Sequence, residues 1–219
     1  AKLVALVGNP NTGKTTVFNQ LTGARARVGN YPGMTVERRI GAMRLGGDER
    51  IDLLDLPGAY SLTARSAEEQ ITMDAVLGLG EHPAPDLCVL VVDAGQLIRN
   101  LYLALQLLEL DVPVVVVLNM IDEVATPPDH AALEKLLGVP FVPTSARSGT
   151  GIDALRTTIQ QQLERVDNSS QRAPAIDYAA ELVADLSGVV AALPSAWRGS
   201  SQRERGLALW ALASIGADD

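Results

Sequence analysis

Gly8-Asn9-Pro10-Asn11-Thr12-Gly13-Lys14-Thr15 is a glycine-rich segment near the start of the chain. It fits G-x-x-x-x-G-K-[ST] and stands between two recognisable elements. The apolar run 2–7 before it predicts a buried strand, and residues 14–21 after it predict a helix. Strand, glycine-rich turn and helix in that order let successive N–H groups and a helix N-terminus point at one anionic group. The loop 8–15, with Thr16 behind it, is therefore expected to wrap phosphate oxygens. Lys14 would reach the outer phosphates, and the Thr15 hydroxyl would ligate Mg²⁺.

Outward from this loop, short β-rich runs alternate with helical stretches as far as residue 166, which predicts a parallel sheet covered by helices. A polar loop is expected over 22–33. Strands are expected over 35–45 and 50–56, flanking the turn signal Gly46-Gly47-Asp48. The continuous apolar runs 87–93 and 112–119 are of the kind buried on both faces of a parallel sheet, with the helix 98–110 between them. Helix 131–137, strand 140–142 and helix 152–165 complete the unit. The fold class is α/β: a doubly wound, mostly parallel sheet with one antiparallel strand.

Asp167-Asn168-Ser169-Ser170-Gln171 is a polar break and reads as a linker. Domain one is then 1–166, and 167–219 is a small all-helical domain. In the latter, Ile176, Val183, Leu186, Val190 and Leu193 follow helical spacing. Ser201 and Glu204 suggest a capping box for a last helix that buries Leu207, Leu209 and Trp210. That part is too short to hold a large core alone and is expected to pack on the first domain or on something beyond the chain.

The 219 residues include 26 acidic and 18 basic side chains, a net charge of −8, and this balance argues against a broad nucleic-acid footprint. One cysteine, Cys88, excludes a disulfide framework and a cysteine-rich metal site. It lies in an apolar run and reads as a buried thiol. His82 and His130 have no ligand cluster around them. The runs 87–92 and 112–118 fall far short of the roughly 20 apolar residues of a spanning helix. The reading is a soluble, cytoplasmic chain. Its start at Ala1 and its end at Asp219 suggest a segment of a longer protein.

Three further segments separate the classes of phosphate-loop protein. Asp55-Leu56-Pro57-Gly58 ends a strand, where Asp55 can hold Mg²⁺ through water and the Gly58 N–H can meet the γ-phosphate. Asn119-Met120-Ile121-Asp122 follows the next buried strand but one, and Asp122 can accept from N1–H and the exocyclic amine of guanine. Ser145-Ala146-Arg147 can bring a backbone N–H to the guanine carbonyl. All lie at the carboxyl ends of strands, where open α/β sheets bind ligands. The ordered set predicts a guanine nucleotide, GTP or GDP, as ligand.

Residues 2–165 thus resemble the translation-factor-related small GTPases, with Met120 where a lysine is commoner. The phosphate-loop segment, Val28-Gly29-Asn30-Tyr31-Pro32-Gly33-Met34-Thr35-Val36-Glu37 and Asp55-Leu56-Pro57-Gly58-Ala59-Tyr60-Ser61-Leu62 are together similar to the FeoB family of bacterial ferrous-iron transporters. The resemblance implies a cytoplasmic G domain at the inner membrane. A helical domain that slows GDP release would follow it, attached to a membrane iron-permeation domain through which oligomers could form. It implies nucleotide contacts from Gly33, Met34 and Thr35, with the Thr35 hydroxyl joining Mg²⁺ beside Thr15 and Asp55. It also implies K⁺ at Asn11, with carbonyls near Gly29 and Tyr31 completing the shell.

The glutamine that orients the attacking water in many small GTPases is absent, since Ala59-Tyr60 stands there. Slow intrinsic hydrolysis follows, with Asn11, Lys14, Thr35 and Gly58 as the catalytic set. Two other readings remain: a GTPase of tRNA modification or ribosome assembly, and a binding-only switch. The first expects a basic C-terminal module, whereas 167–219 holds seven acidic and four basic residues. Asp177, Glu181 and Asp185 form an acidic stripe there, read as a solvated face.

Overall fold

A computed structural model describes residues 2–31, 36–45, 50–63, 66–79, 83–168 and 173–214. Seven strands form one sheet in the order β2-β3-β4-β1-β5-β6-β7. The strands are β1 (Leu3–Gly8), β2 (Ala26–Asn30), β3 (Glu37–Arg44), β4 (Arg50–Asp55), β5 (Leu87–Asp93), β6 (Val114–Asn119) and β7 (Phe141–Pro143). β1 pairs in parallel with β4 and β5, and β5, β6 and β7 continue in parallel. Only β3 runs against the rest, antiparallel to both β4 and β2. β2 was expected as loop. All five of its residues are exposed, so no alternation of buried and exposed positions marked it in the sequence.

Helices cover both faces. α1 (Lys14–Thr22) and α5 (Ile152–Asp167) bury Val17, Phe18, Leu21, Leu155 and Ile159 against one side of the sheet. α2 (Ala67–Leu77) and α3 (Leu97–Glu109) bury Met73, Val76, Leu103 and Leu107 against the other, with α4 (His130–Leu137) alongside. Val4 and Ala5 face opposite clusters, as neighbours on a strand must. α2 was not expected from the sequence, although Ser66 caps it by accepting from the Glu69 N–H at 3.1 Å. Ser66-Ala67-Glu68-Glu69 is the capping-box spacing that could have found it.

Two short helices follow, α6 (Ala180–Ala192) and α7 (Ser201–Ser214). Ile176 precedes α6 rather than lying on it. Its N–H donates to Gln202 Oε1 at 3.2 Å, a bond to α7 rather than within a helical turn. The cap of α7 is Ser200, not Ser201: Ser200 Oγ accepts from the Arg203 N–H at 3.2 Å. Ala173, Leu193 and Leu207 join the apolar cluster of α2, α3 and the sheet. Gln202 is buried and donates to the carbonyls of Leu108 and Pro174 at 2.7 and 2.9 Å. At Gly206 the α7 backbone comes so close that a Cβ would lie 2.2 Å from the Glu109 carbonyl oxygen. No helix among the described residues is long and apolar enough to cross a membrane.

Candidate nucleotide site

Parallel pairing brings the carboxyl ends of β1, β4, β5 and β6 to one edge of the sheet, where the sequence placed its motifs. The phosphate loop leaves β1 at Gly8 and enters α1 through Gly13, whose φ of +78° is left-handed. No side chain caps α1. The first-turn N–H groups therefore face the cavity as donors, the arrangement that binds anions at helix N-termini. A cavity of about 720 Å³ opens here, lined by Asn9, Pro10, Asn11, Gly13, Lys14, Thr15, Thr16, Gly58 and Tyr60.

Lys14 and Asp55 form a nearly buried ion pair across this cavity, linking the phosphate loop to the end of β4. The Ala59 N–H donates to the Gly8 carbonyl at 3.1 Å, and Thr72 Oγ1 donates to the Pro57 carbonyl at 3.2 Å. These bonds hold the Asp55–Gly58 turn beside the loop. Leu56 and Ala59 are buried, so the position after Gly58 presents a packed methyl group. Tyr60 is half-exposed with the Arg99 guanidinium 4.5 Å from its ring centre.

At the neighbouring strand end, Asn119 is 2% exposed. Its Nδ2 donates to the Thr12 carbonyl at 2.9 Å, and its Oδ1 accepts from the Ala146 N–H at 2.9 Å and Thr144 Oγ1 at 3.1 Å. One amide thus joins the phosphate loop, the Asn119–Asp122 segment and the Ser145–Arg147 turn. Met120 is left-handed, with φ of 63°, and its Cε packs towards Gly13. This conformation starts a 3₁₀ turn that leaves Asp122 exposed at the edge. In the Ser145–Arg147 turn, two N–H groups are committed: Ser145 to the Thr150 carbonyl at 3.1 Å and Ala146 to Asn119.

The sequence-derived positions Asn9–Thr16, Asp55–Gly58, Asn119, Met120, Asp122 and Ser145–Arg147 thus lie on one edge. Gly29 lies in β2 opposite Arg38, with Tyr31 just beyond, and neither lines the cavity that holds Asn11. Asn11 itself is exposed in a left-handed conformation. Gly33, Met34, Thr35 and His82 fall outside the described residues, as does the 46–49 turn. Residues that the sequence reading missed also line the cavity: Ser66, Glu68 and Glu69 at the start of α2.

The donors fit a nucleotide polyphosphate: uncapped helix N–H groups, a lysine, and hydroxyls at Thr15 and Thr16, with the Asp55 carboxylate an acceptor suited to a cation beside it. Among the described residues, Asn9 Nδ2 and Oδ1 are buried without a hydrogen-bond partner, and Asn9 lines this cavity.

Comparison with known proteins decides the family. Residues 2–159 match the family described as ferrous iron transport protein B. The chain belongs to this family. A Porphyromonas gingivalis Fe(2+) transport protein A/Fe(2+) transporter FeoB fusion protein is 48% identical over 159 residues, which is 71% of this chain and 18% of that protein. The cytosolic domain of Legionella pneumophila FeoB (L. pneumophila) superposes with a TM-score of 0.80 at 35% identity, covering 96% of this chain and 87% of that one. A Streptococcus thermophilus (S. thermophilus) NFeoB variant bound to GDP superposes with a TM-score of 0.78 at 35% identity, covering 95% and 78%. The chain spans about a fifth of the length of the curated transporters it matches, 18% of one and 23% of another.

Proposed function

We propose that this chain is the guanine-nucleotide switch of a ferrous-iron transporter, binding GTP with Mg²⁺ and hydrolysing it slowly to GDP. The observation that carries the reading is the Asn119 amide. It holds the phosphate loop and both base-facing segments at fixed spacing on one strand edge. The GDP-bound relative supports the ligand class.

Within this reading, the α1 N–H groups and Lys14 bind the phosphates. With nucleotide bound, Lys14 would exchange the Asp55 carboxylate for phosphate oxygen, which would free Asp55 to hold a cation. Thr15, Asp55 and Thr35 would hold Mg²⁺, which screens phosphate charge during displacement. Asp122 accepts from the two guanine donors. The Arg147 N–H, rather than that of Ala146, meets the base carbonyl. Ala59 has nothing with which to orient water, so the backbone around Gly58 must do it, and turnover is slow. Asn11 would hold a K⁺ that offsets developing charge.

The C-terminal helices report the nucleotide state. Trp210 Nε1 donates to the Leu62 carbonyl, and Ser214 Oγ donates to the Thr63 carbonyl at 3.3 Å, both just beyond the Asp55–Gly58 turn. Residues 1–166 are then the G domain and 167–219 the coupling domain. In the full-length protein it would adjoin a membrane iron-permeation domain on the cytoplasmic side. Phosphate release from GTP tests the reading. Turnover that rises in KCl over NaCl, with the difference lost in Asn11→Ala, is expected. Equal rates in both salts would remove K⁺ from the account, and no hydrolysis in either would reduce the chain to a binding module.

A further inference from the structure

A second concavity among the described residues lies away from the nucleotide edge. It occupies about 890 Å³ beside β2, β3 and β4 and is lined, among the described residues, by Arg25, Arg27, Arg44, Arg50 and Arg156, with Asp52 the carboxylate among them. Five of the chain's 18 basic side chains line it, on a protein with a net charge of −8. Arg27, Arg44 and Arg50 come from the face of β2–β4 turned away from α1, and Arg156 from the α1 side. Asp52 pairs with Leu3 at the start of β1. The phosphate loop begins at the other end of that strand, roughly 17 Å away.

The register makes this charge costly. Arg44 and Arg50 are direct cross-strand partners on β3 and β4, so their guanidinium groups project from the same face. Like charges opposite one another destabilise a sheet. Arg27, opposite Ile40, projects from that face too. Among the described residues, the side chains of Arg25, Arg27, Arg44 and Arg50 have neither ion pairs nor hydrogen bonds. Arg156 has a separate task. Its Nη2 donates to the carbonyls of Gln20 and Leu21 at 2.7 and 2.8 Å, covering the carbonyl end of α1. That end would otherwise repel an anion from the pocket.

We infer that this pocket is a second anion site, built for a phosphate-bearing polyanion. All five cations are arginines, whose planar forks match pairs of phosphate oxygens. An anion between Arg44 and Arg50 turns their mutual repulsion into shared attraction. The phosphate has two sources, a soluble phosphate compound or the headgroup of an anionic lipid.

The test uses the chain loaded with GDP and then freed of unbound nucleotide, so that the phosphate loop is filled and no free diphosphate competes. Inorganic pyrophosphate is titrated by calorimetry, and vesicles of phosphatidylglycerol or of phosphatidylcholine are offered in flotation. The wild type is expected to bind, and Arg44→Gln with Arg50→Gln to bind about tenfold more weakly or less. GDP affinity should not change, and the melting temperature should not fall, because a like-charge pair is removed. Pyrophosphate binding without flotation identifies a soluble source. Flotation with anionic vesicles alone, competed by pyrophosphate, identifies lipid. The inference is overturned if the wild type ignores both probes at about 0.1 M salt. It is also overturned if binding survives in the double variant, or if pyrophosphate fails to displace the vesicles.

Discussion

Asn119 Nδ2 donates to the Thr12 carbonyl oxygen at 2.9 Å, across 107 positions of sequence. The same side chain accepts from Ala146, so one buried amide sets the distance between the phosphate-facing and base-facing halves of the site. Replacing it tests both stability and binding. In Asn119→Ala the Thr12 carbonyl and the Ala146 N–H lose their partner in a buried setting, at a cost of about 3 kcal/mol. Thermal unfolding should show the loss, and GDP titration should show weakened affinity. A variant as stable as the wild type would mean that water replaces the amide.

Gly13 is fixed by the same contact. A Cβ there would lie 2.4 Å from Asn119 Nδ2, at a φ of +78° that L side chains rarely adopt. Gly13→Ala should cost about 1–2 kcal/mol from the left-handed backbone alone. It should also push Asn119 out of place and weaken GDP binding more than about tenfold. Equilibrium titration with a fluorescent guanine nucleotide would measure it.

The seam between α3 and α7 offers a handle far from the nucleotide. Gly206→Val would drive a side chain into the Glu109 carbonyl and cost about 1–3 kcal/mol by overpacking. With α7 displaced, Trp210 and Ser214 release the Leu62–Thr63 segment, and GDP dissociation should speed up. Trp210→Phe, which keeps a ring but removes the donor to Leu62, should share the kinetic effect with less loss of stability. Unchanged dissociation rates in both would separate α7 from the switch.

Glu109 lies at the same seam, and burial pushes its carboxyl above the ordinary glutamate value of 4.5. Burial, with the Glu109 charge adding to it, lifts the Tyr178 hydroxyl to about 12, with Arg205 opposing. A carboxyl raised by folding holds its proton more tightly in the folded chain. Its contribution to stability is therefore present below the unfolded value and is lost as pH rises through the folded one. Glu109→Gln should accordingly be more stable than the wild type at pH 7, with the gap closing near pH 4. Thermal melts across that range would show it, and a gap that widens on acidification would contradict the burial argument.

Much of this was legible in the sequence because it rests on local chemistry. The glycines and lysine of 8–15, the apolar runs of β1, β5 and β6, and the strand-end motifs each carry their own spacing. What escaped depends on partners distant in sequence. β2 exposes every residue and exists because β3 offers it an edge. Ile176 precedes α6, its N–H bonded to Gln202 on α7 rather than within a helical turn. The commitment of the Ala146 N–H to Asn119 could not be read from Ser145-Ala146-Arg147 alone. α2 is the exception, since its Ser66–Glu69 capping box was present to be read.

Asp122 is proposed to read guanine at this sheet edge, and the affinities of wild type and Asp122→Asn for GTP and xanthosine triphosphate test that role. The expected result is a reversal of preference, because the asparagine amide offers a donor to the xanthine carbonyl where the carboxylate had accepted from the guanine amine. Unaltered preference for GTP in Asp122→Asn would contradict the assignment of the base pocket.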